Sequence, residues 1–165
     1  MSFARILRHL VTSTWATRRR FSQGVLTDIE MAIREVESRH AGEIRFAVER
    51  ALDVPQIVSG LLPRQRALQI FAQLGVWDTA ANNGVLIYVL MADRDVEIVA
   101  DRGIASRVPA AEWEAICREM EQHYVAGRFG EGSIAGVRAV GRLLERHFPG
   151  SWADADELPN KPVLL

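Results

Sequence analysis

The stretch Val85-Leu86-Ile87-Tyr88-Val89-Leu90-Met91 constrains this chain more than any other. Both faces of an extended strand with this sequence are apolar, so both need cover. Such a strand belongs at the centre of a sheet with helices above and below it. The run extends only to Ala92, well short of the ~18 apolar residues that a transmembrane helix needs. Asn83-Gly84 precedes it and Ala92-Asp93-Arg94 follows it, both turn signals. Past the second turn, Val96, Ile98 and Ala100 alternate with Glu97 and Asp101. That pattern predicts a strand returning antiparallel to the first.

Upstream, Ile44, Phe46 and Val48 face one side of a strand over Glu43–Arg50, with Glu43, Arg45 and Glu49 on a wetter side. Thr27-Asp28-Ile29-Glu30 reads as a capping box that opens a helix running to about His40, stopped by Gly42. Leu52–Leu62 reads as a loop, and Pro63 suits the first turn of a helix ending at Gly75. Pro109 opens another helix, with Trp113, Ile116, Cys117, Met120 and Tyr124 on one face. Gly127–Gly132 reads as a loop before a last helix carrying Ile134, Val137, Val140, Leu144 and Phe148. Gly136 and Gly141 weaken that helix, which predicts close packing at those points.

A helical crossover joins the first strand to the central one, so the two should run parallel. The expected architecture is α/β: a three-layer α/β/α sandwich around a small mixed sheet, Rossmann-like in its layering. It occupies 25–149, after a basic amphipathic segment over 1–24 and before a polar tail over 150–165 with little structure of its own.

The bulk numbers exclude more than they propose. The chain has 165 residues, 48% hydrophobic and 25% charged, which is one ordinary globular domain. A net charge of −1 gives no global case for nucleic acid. Cys117 is the single cysteine, so no internal disulfide can form, and its place on an apolar stripe marks it as inert core.

Residues 1–22 contain no Asp or Glu, but do contain Arg5, Arg8, Arg18, Arg19 and Arg20. Phe3, Ile6, Leu7, Leu10, Val11 and Trp15 fall at helical spacing. Such a stripe packs on its own domain or on a partner, the reading preferred here, or lies on an anionic membrane surface. Arg5, Arg8, Trp15, Arg18, Arg19 and Arg20 are the contact candidates in either case. Arg8 and His9 interrupt what a secretory signal would need as its apolar core. A transit peptide would share the arginine-rich, acid-poor composition.

Trp77, Asn82-Asn83-Gly84-Val85-Leu86-Ile87-Tyr88-Val89, Asp93-Arg94 and Val96-Glu97-Ile98-Val99-Ala100-Asp101-Arg102-Gly103-Ile104, with Ala126-Gly127-Arg128-Phe129 and Gly132 later, resemble the TPM family. The resemblance spans about Leu26 to Phe148. It implies an α/β/α sandwich, divalent-cation binding (often calcium) and a reported acid-phosphatase activity. Many members carry a membrane anchor or an export signal; this chain is similar to the short, soluble bacterial members that carry neither.

Antiparallel geometry puts Asp93 and Asp101 at opposite ends of the hairpin, about 20 Å apart, too far to share one metal. Asp78, Asn82, Asn83 and Asp101 form a candidate metal set at one end, with Glu43 near and Arg102 placed to hold a phosphate. The bland reading is a turn with a local cap. At the other end Glu49, Asp53, Asp93, Arg94 and Asp95 lie where open α/β sheets bind ligands, with Asp93 and Arg94 the candidates. There the bland reading is a charged hairpin turn. No nucleophile elbow, Walker loop, dinucleotide fingerprint or zinc-binding histidine pair is present.

The expected function is that of a non-enzymatic accessory domain, binding a divalent cation and an unidentified, membrane-associated protein partner. The alternative is a metal-assisted acid phosphatase of low activity. The expected location is cytoplasmic, peripheral at the inner membrane.

Overall fold

The computed structural model describes residues 3–150 and 157–165. Asp154 and Asp156 of the expected tail lie outside the described residues. Four strands form one mixed sheet in the order β3-β2-β1-β4. The central strand β2 (Gly84–Leu90) pairs parallel with β1 (Glu43–Glu49), Ile44 opposite Val85 and Val48 opposite Val89. It pairs antiparallel with β3 (Asp95–Ala100), Val85 opposite Ala100 and Leu90 opposite Asp95. Every residue of β2 is buried, as its unbroken apolar run requires.

Alternation assigns the two faces. Phe46, Val48, Val85, Ile87, Val89 and Ile98 join one core with α3 (Gln23–Glu37), α7 (Ala110–Val125) and α8 (Phe129–His147). Ala47, Leu86, Tyr88, Leu90 and Val99 join a second, smaller core with α5 (Pro63–Gln73). The glycines of α8 make the tight contacts expected of them. A Cβ on Gly136 would strike the Met120 side chain, and one on Gly141 would meet Val36 Cβ at 2.5 Å.

Several local expectations give way. Helix α3 starts one turn early, where the Ser22 side chain accepts from Val25 N at 3.4 Å. The Thr27 hydroxyl donates to Gln23 O instead of capping. The expected 52–62 loop holds a short helix, α4 (Val54–Val58), with Asp53 and Gln56 forming its capping box. A one-turn α6 (Arg102–Ala105) follows β3.

The wetter face of β1 is not wet. Arg45 and Glu49 are buried. Arg45 donates to Pro159 O and Lys161 O, and Arg66 of α5 covers Glu49. The tail expected to lack structure supplies that cover. Its end forms β4 (Val163–Leu164), parallel to β1, and Leu158 is buried in the smaller core. An edge of β1 left open would have offered unpaired backbone groups, and the tail closes it.

The N-terminal segment forms two helices, α1 (Phe3–Val11) and α2 (Thr14–Arg20). Its polar side faces the domain. His9 is buried while Phe3, Leu7, Leu10, Val11 and Trp15 are exposed, the inverse of an ordinary surface helix. Ile6 alone of the apolar stripe packs on the smaller core.

Candidate functional site

The hairpin places two polar clusters at opposite ends of the sheet. At the end where β2 begins and β3 finishes, Asn82 takes a left-handed conformation, φ 51°. Its carbonyl accepts from Gly103 N at 3.1 Å, and its side-chain oxygen accepts from Arg102 Nε at 3.0 Å. Gly103 is required there, because a Cβ would come within 2.5 Å of Asn82 O. The backbone of Asp101 pairs with Gly84 O at 2.9 Å, and its carboxylate caps α6 through Arg102 N at 2.7 Å. Asn83 is buried; its amide nitrogen donates to Ala41 O, on the β1 side.

Two oxygens at this end have no hydrogen-bond partner although both are buried: Asn83 Oδ1 and Asp101 Oδ2. Buried acceptors of this kind cost free energy unless something satisfies them. Of the candidate metal set, Asn82, Asn83 and Asp101 all lie at this end of the ladder, Asn82 and Asp101 both bonded to Arg102. Asp78 does not join them: it is exposed, and no hydrogen bond or ion pair links its side chain to theirs among the described residues. Glu43 is drawn toward the tail, accepting from Leu158 N at 3.4 Å.

His40 immediately precedes Ala41, whose carbonyl accepts from Asn83. It is buried, its Nδ1 accepts from Gly42 N at 3.1 Å, and burial pushes its pKa down to about 4. It is therefore neutral across the ordinary pH range. Among the described residues no group of three or more His, Cys, Asp or Glu is arranged to hold a metal ion. A cation here would rest on one carboxylate together with amide and backbone oxygens, a donor set that suits a hard ion.

The opposite end is taken up by the chain itself. Asp93 Oδ2 accepts from Arg5 Nε at 2.9 Å, and Asp93 Oδ1 accepts from Arg8 at 3.0 Å, with His9 Nε2 at 3.1 Å. Burial raises the cost of the Asp93 charge, but Arg5 and His9 outweigh it and hold the carboxyl below its usual range. His9 Nδ1 accepts from Leu52 N at 3.0 Å, so the ring is neutral, and burial keeps its pKa low despite Asp93. Arg94 is exposed in a left-handed turn at φ 55°. Glu49, which the sequence grouped with these acids, is taken up separately, on the smaller-core face of β1. It accepts a two-pronged pair from Arg66, with Arg66 Nη2 at 2.8 Å, and a hydrogen bond from Tyr88 O–H. Burial and the Glu49 charge push the Tyr88 phenol far up, so it is no acid or nucleophile.

That triplet is what sequence reasoning missed. A signal existed: Tyr88 is the one hydroxyl in the apolar run, and parallel pairing places it diagonal to Glu49 on the same face. Asp95 keeps one buried oxygen without a hydrogen-bond partner, and burial with the Glu97 and Glu121 charges raises its pKa to about 6. Cys117 is pushed up to about 12, first by burial and then by Glu97. A thiol that stays protonated is a poor nucleophile, in keeping with the core role assigned to it.

No helix among the described residues is long and apolar enough to cross a membrane. No curated protein matches the chain. Solved structures do. The BA42 protein of the psychrophilic bacterium Bizionia argentinensis is 30% identical, with 87% of this chain and 94% of that one covered at a TM-score of 0.74. The N-terminal domain of a P. gingivalis protein is 23% identical over 78% of this chain and 81% of that one, at a TM-score of 0.60. The N-terminal domain of the cg2496 protein of Corynebacterium glutamicum is 16% identical over 81% of this chain and 80% of that one, at 0.55. These last two show the shared fold. The family model for the TPM domain matches residues 18–143, from α2 through most of α8. With that match across the sheet and the helical layers on both sides of it, the chain belongs to the TPM domain family.

Proposed function

We propose that this chain is a non-catalytic binding domain that takes a divalent cation, calcium foremost, at the Asn82–Asp101 end of the sheet and acts with a membrane-associated protein partner. One observation carries the cation reading. Asn83 Oδ1 and Asp101 Oδ2 are buried acceptors without hydrogen-bond partners, flanking a strand end. A hard cation is satisfied by oxygens of this type. Asn82, Asn83 and Asp101 are the residues that would hold it; Asp78 would have to swing in from solvent.

Calorimetric titration of the chain with calcium tests this. Binding heat that weakens at least about tenfold in Asp101→Asn, with the fold retained, supports the reading. Heat that Asp101→Asn leaves unchanged, or no heat with calcium, magnesium or manganese, ends it.

A metal-assisted phosphatase is the second reading, favoured by Arg102, which is exposed beside Asn82 and could meet a phosphoryl oxygen. The described residues supply no activated nucleophile there, so a bound cation would have to activate water. A clean preparation that hydrolyses no phosphate monoester with any of these cations would remove it.

A further inference from the structure

Helix α1 docks the wrong way round for a soluble surface helix. Viewed down its axis, Phe3, Leu7, Leu10 and Val11 share one arc at positions i, i+4, i+7 and i+8, and all are exposed. Phe3 is 79% exposed and Val11 67%. The side that meets the domain carries Arg5 and His9 on Asp93, with Ile6 next to His9 in projection. The Arg5–Asp93–His9 contact thus fixes the apolar arc outward. An arc of large apolar side chains held in water marks a surface that something else covers.

Charge selects the occupant. Residues 1–22 contain five arginines and no acid. Arg8 flanks the arc, and α2 adds Arg18, Arg19 and Arg20, all exposed. Trp15 is 68% exposed, with the Arg19 guanidinium 5.4 Å over its ring. Arg19, Arg20 and Arg128 also line an open cleft of about 600 Å³ with Trp15 and Phe129. An apolar arc with an interfacial tryptophan and a fringe of arginines matches the boundary of an anionic bilayer. A second copy packed through the same face would bring arginine against arginine, with no acid in either segment to relieve it.

We propose that α1 and α2 are a docking surface for an anionic lipid bilayer. Phe3, Leu7, Leu10 and Val11 enter the headgroup region, and Arg8, Arg18, Arg19 and Arg20 meet lipid phosphates. Asp93 keeps α1 fixed to the domain, so the sheet is held at a set orientation to the membrane. This rests on the membrane-associated reading above and narrows it to the lipid surface itself. It concerns α1, which lies wholly outside the residues that match the family model.

Flotation of the full chain with phosphatidylcholine vesicles, with and without about 30 mol% phosphatidylglycerol, tests it. The expected result is binding to the anionic vesicles alone, weakened at least about tenfold by ~0.5 M salt. Leu7→Gln with Leu10→Gln should reduce binding at least about tenfold, since each side chain loses its apolar insertion. Both positions are exposed, so circular dichroism and calcium binding should not change; a loss of flotation with calcium heat intact separates this proposal from the cation reading. Arg19→Gln with Arg20→Gln should remove the preference for anionic lipid. The proposal is overturned if the full chain does not float, or if the double leucine variant floats equally well. A dimer in sedimentation velocity that Leu7→Gln with Leu10→Gln dissolves, in a chain that ignores vesicles, would instead assign the face to a second copy.

Discussion

The two ends of the β2–β3 ladder carry similar residues and have opposite fates. Each has an aspartate with an arginine next to it in sequence. At the Asp93 end the chain supplies its own partners: the charged Arg5 and Arg8 and the neutral His9 ring converge on one carboxylate. At the Asp101 end the carboxylate caps a single turn, Arg102 turns to Asn82, and two buried oxygens stay unmet. One end is an internal clasp; the other keeps two buried oxygens that the chain does not satisfy. Acidic residues at the tip of a strand therefore say little about binding until their partners are known.

The comparison breaks most sharply at Gly84. A Cβ there would be driven into the Val76 carbonyl, and backbone cannot step aside cheaply. Gly84→Ala should lower the unfolding free energy by about 3 kcal/mol, read by urea denaturation. An unchanged midpoint would mean that the Asp101 end is looser than described.

Acid should strike the same end next. The folded chain holds His40 neutral with its pKa near 4, against 6.5 when free. The unfolded chain therefore takes up the proton first, so stability is complete above pH 6.5 and is lost as pH falls toward 4. The loss should amount to about 2–3 kcal/mol. Asp95 opposes it, because its raised pKa favours the folded state as pH falls below about 6. His40→Asn can still accept from Gly42 N, and isolates the histidine part. Its pH profile from 7 to 4 should be flatter than the wild type's by that amount, and an identical slope would clear His40.

At the clasp, Asp93→Asn leaves Arg5 without its counter-charge and weakens the hydrogen bond from His9 Nε2. Arg8 is 57% exposed and water compensates it, which discounts the cost to about 2 kcal/mol. The variant should also release α1, read as faster tryptic cleavage after Arg8. Stability and cleavage both unchanged would show that α1 is held by something other than Asp93. The smallest effect belongs to Arg102→Gln. It replaces an exposed side chain that makes one hydrogen bond from its guanidinium, and should move stability by less than about 0.5 kcal/mol. A larger loss would make Arg102 a structural clasp too, and the two ends would be alike.

The layers of this protein were legible in the amino-acid order because burial patterning is local. Seven apolar side chains at 85–91 can satisfy both faces of a strand only at the centre of a sandwich, and β2 is there. Period-2 alternation gave β1 and β3, and two glycines gave the close approach of α8 to α3 and α7. Of the residues that the amino-acid order offered for a metal, Asn82, Asn83 and Asp101 lie at one end of the ladder, while Asp78 is exposed and makes no bond to them among the described residues.

The tertiary structure alone decided where the charges ended. Arg5 and Asp93 stand 88 residues apart, and Arg45 finds Lys161 O across 116. No periodicity reports a pairing over such a distance. The same holds for the tail, whose backbone hydrogen bonds to β1 depend on an open sheet edge rather than on its own propensity. It holds too for α1, whose outward apolar face follows from three contacts with one carboxylate. Local hydrophobicity fixes which segments must be covered; only the assembled chain fixes which charges are already spent.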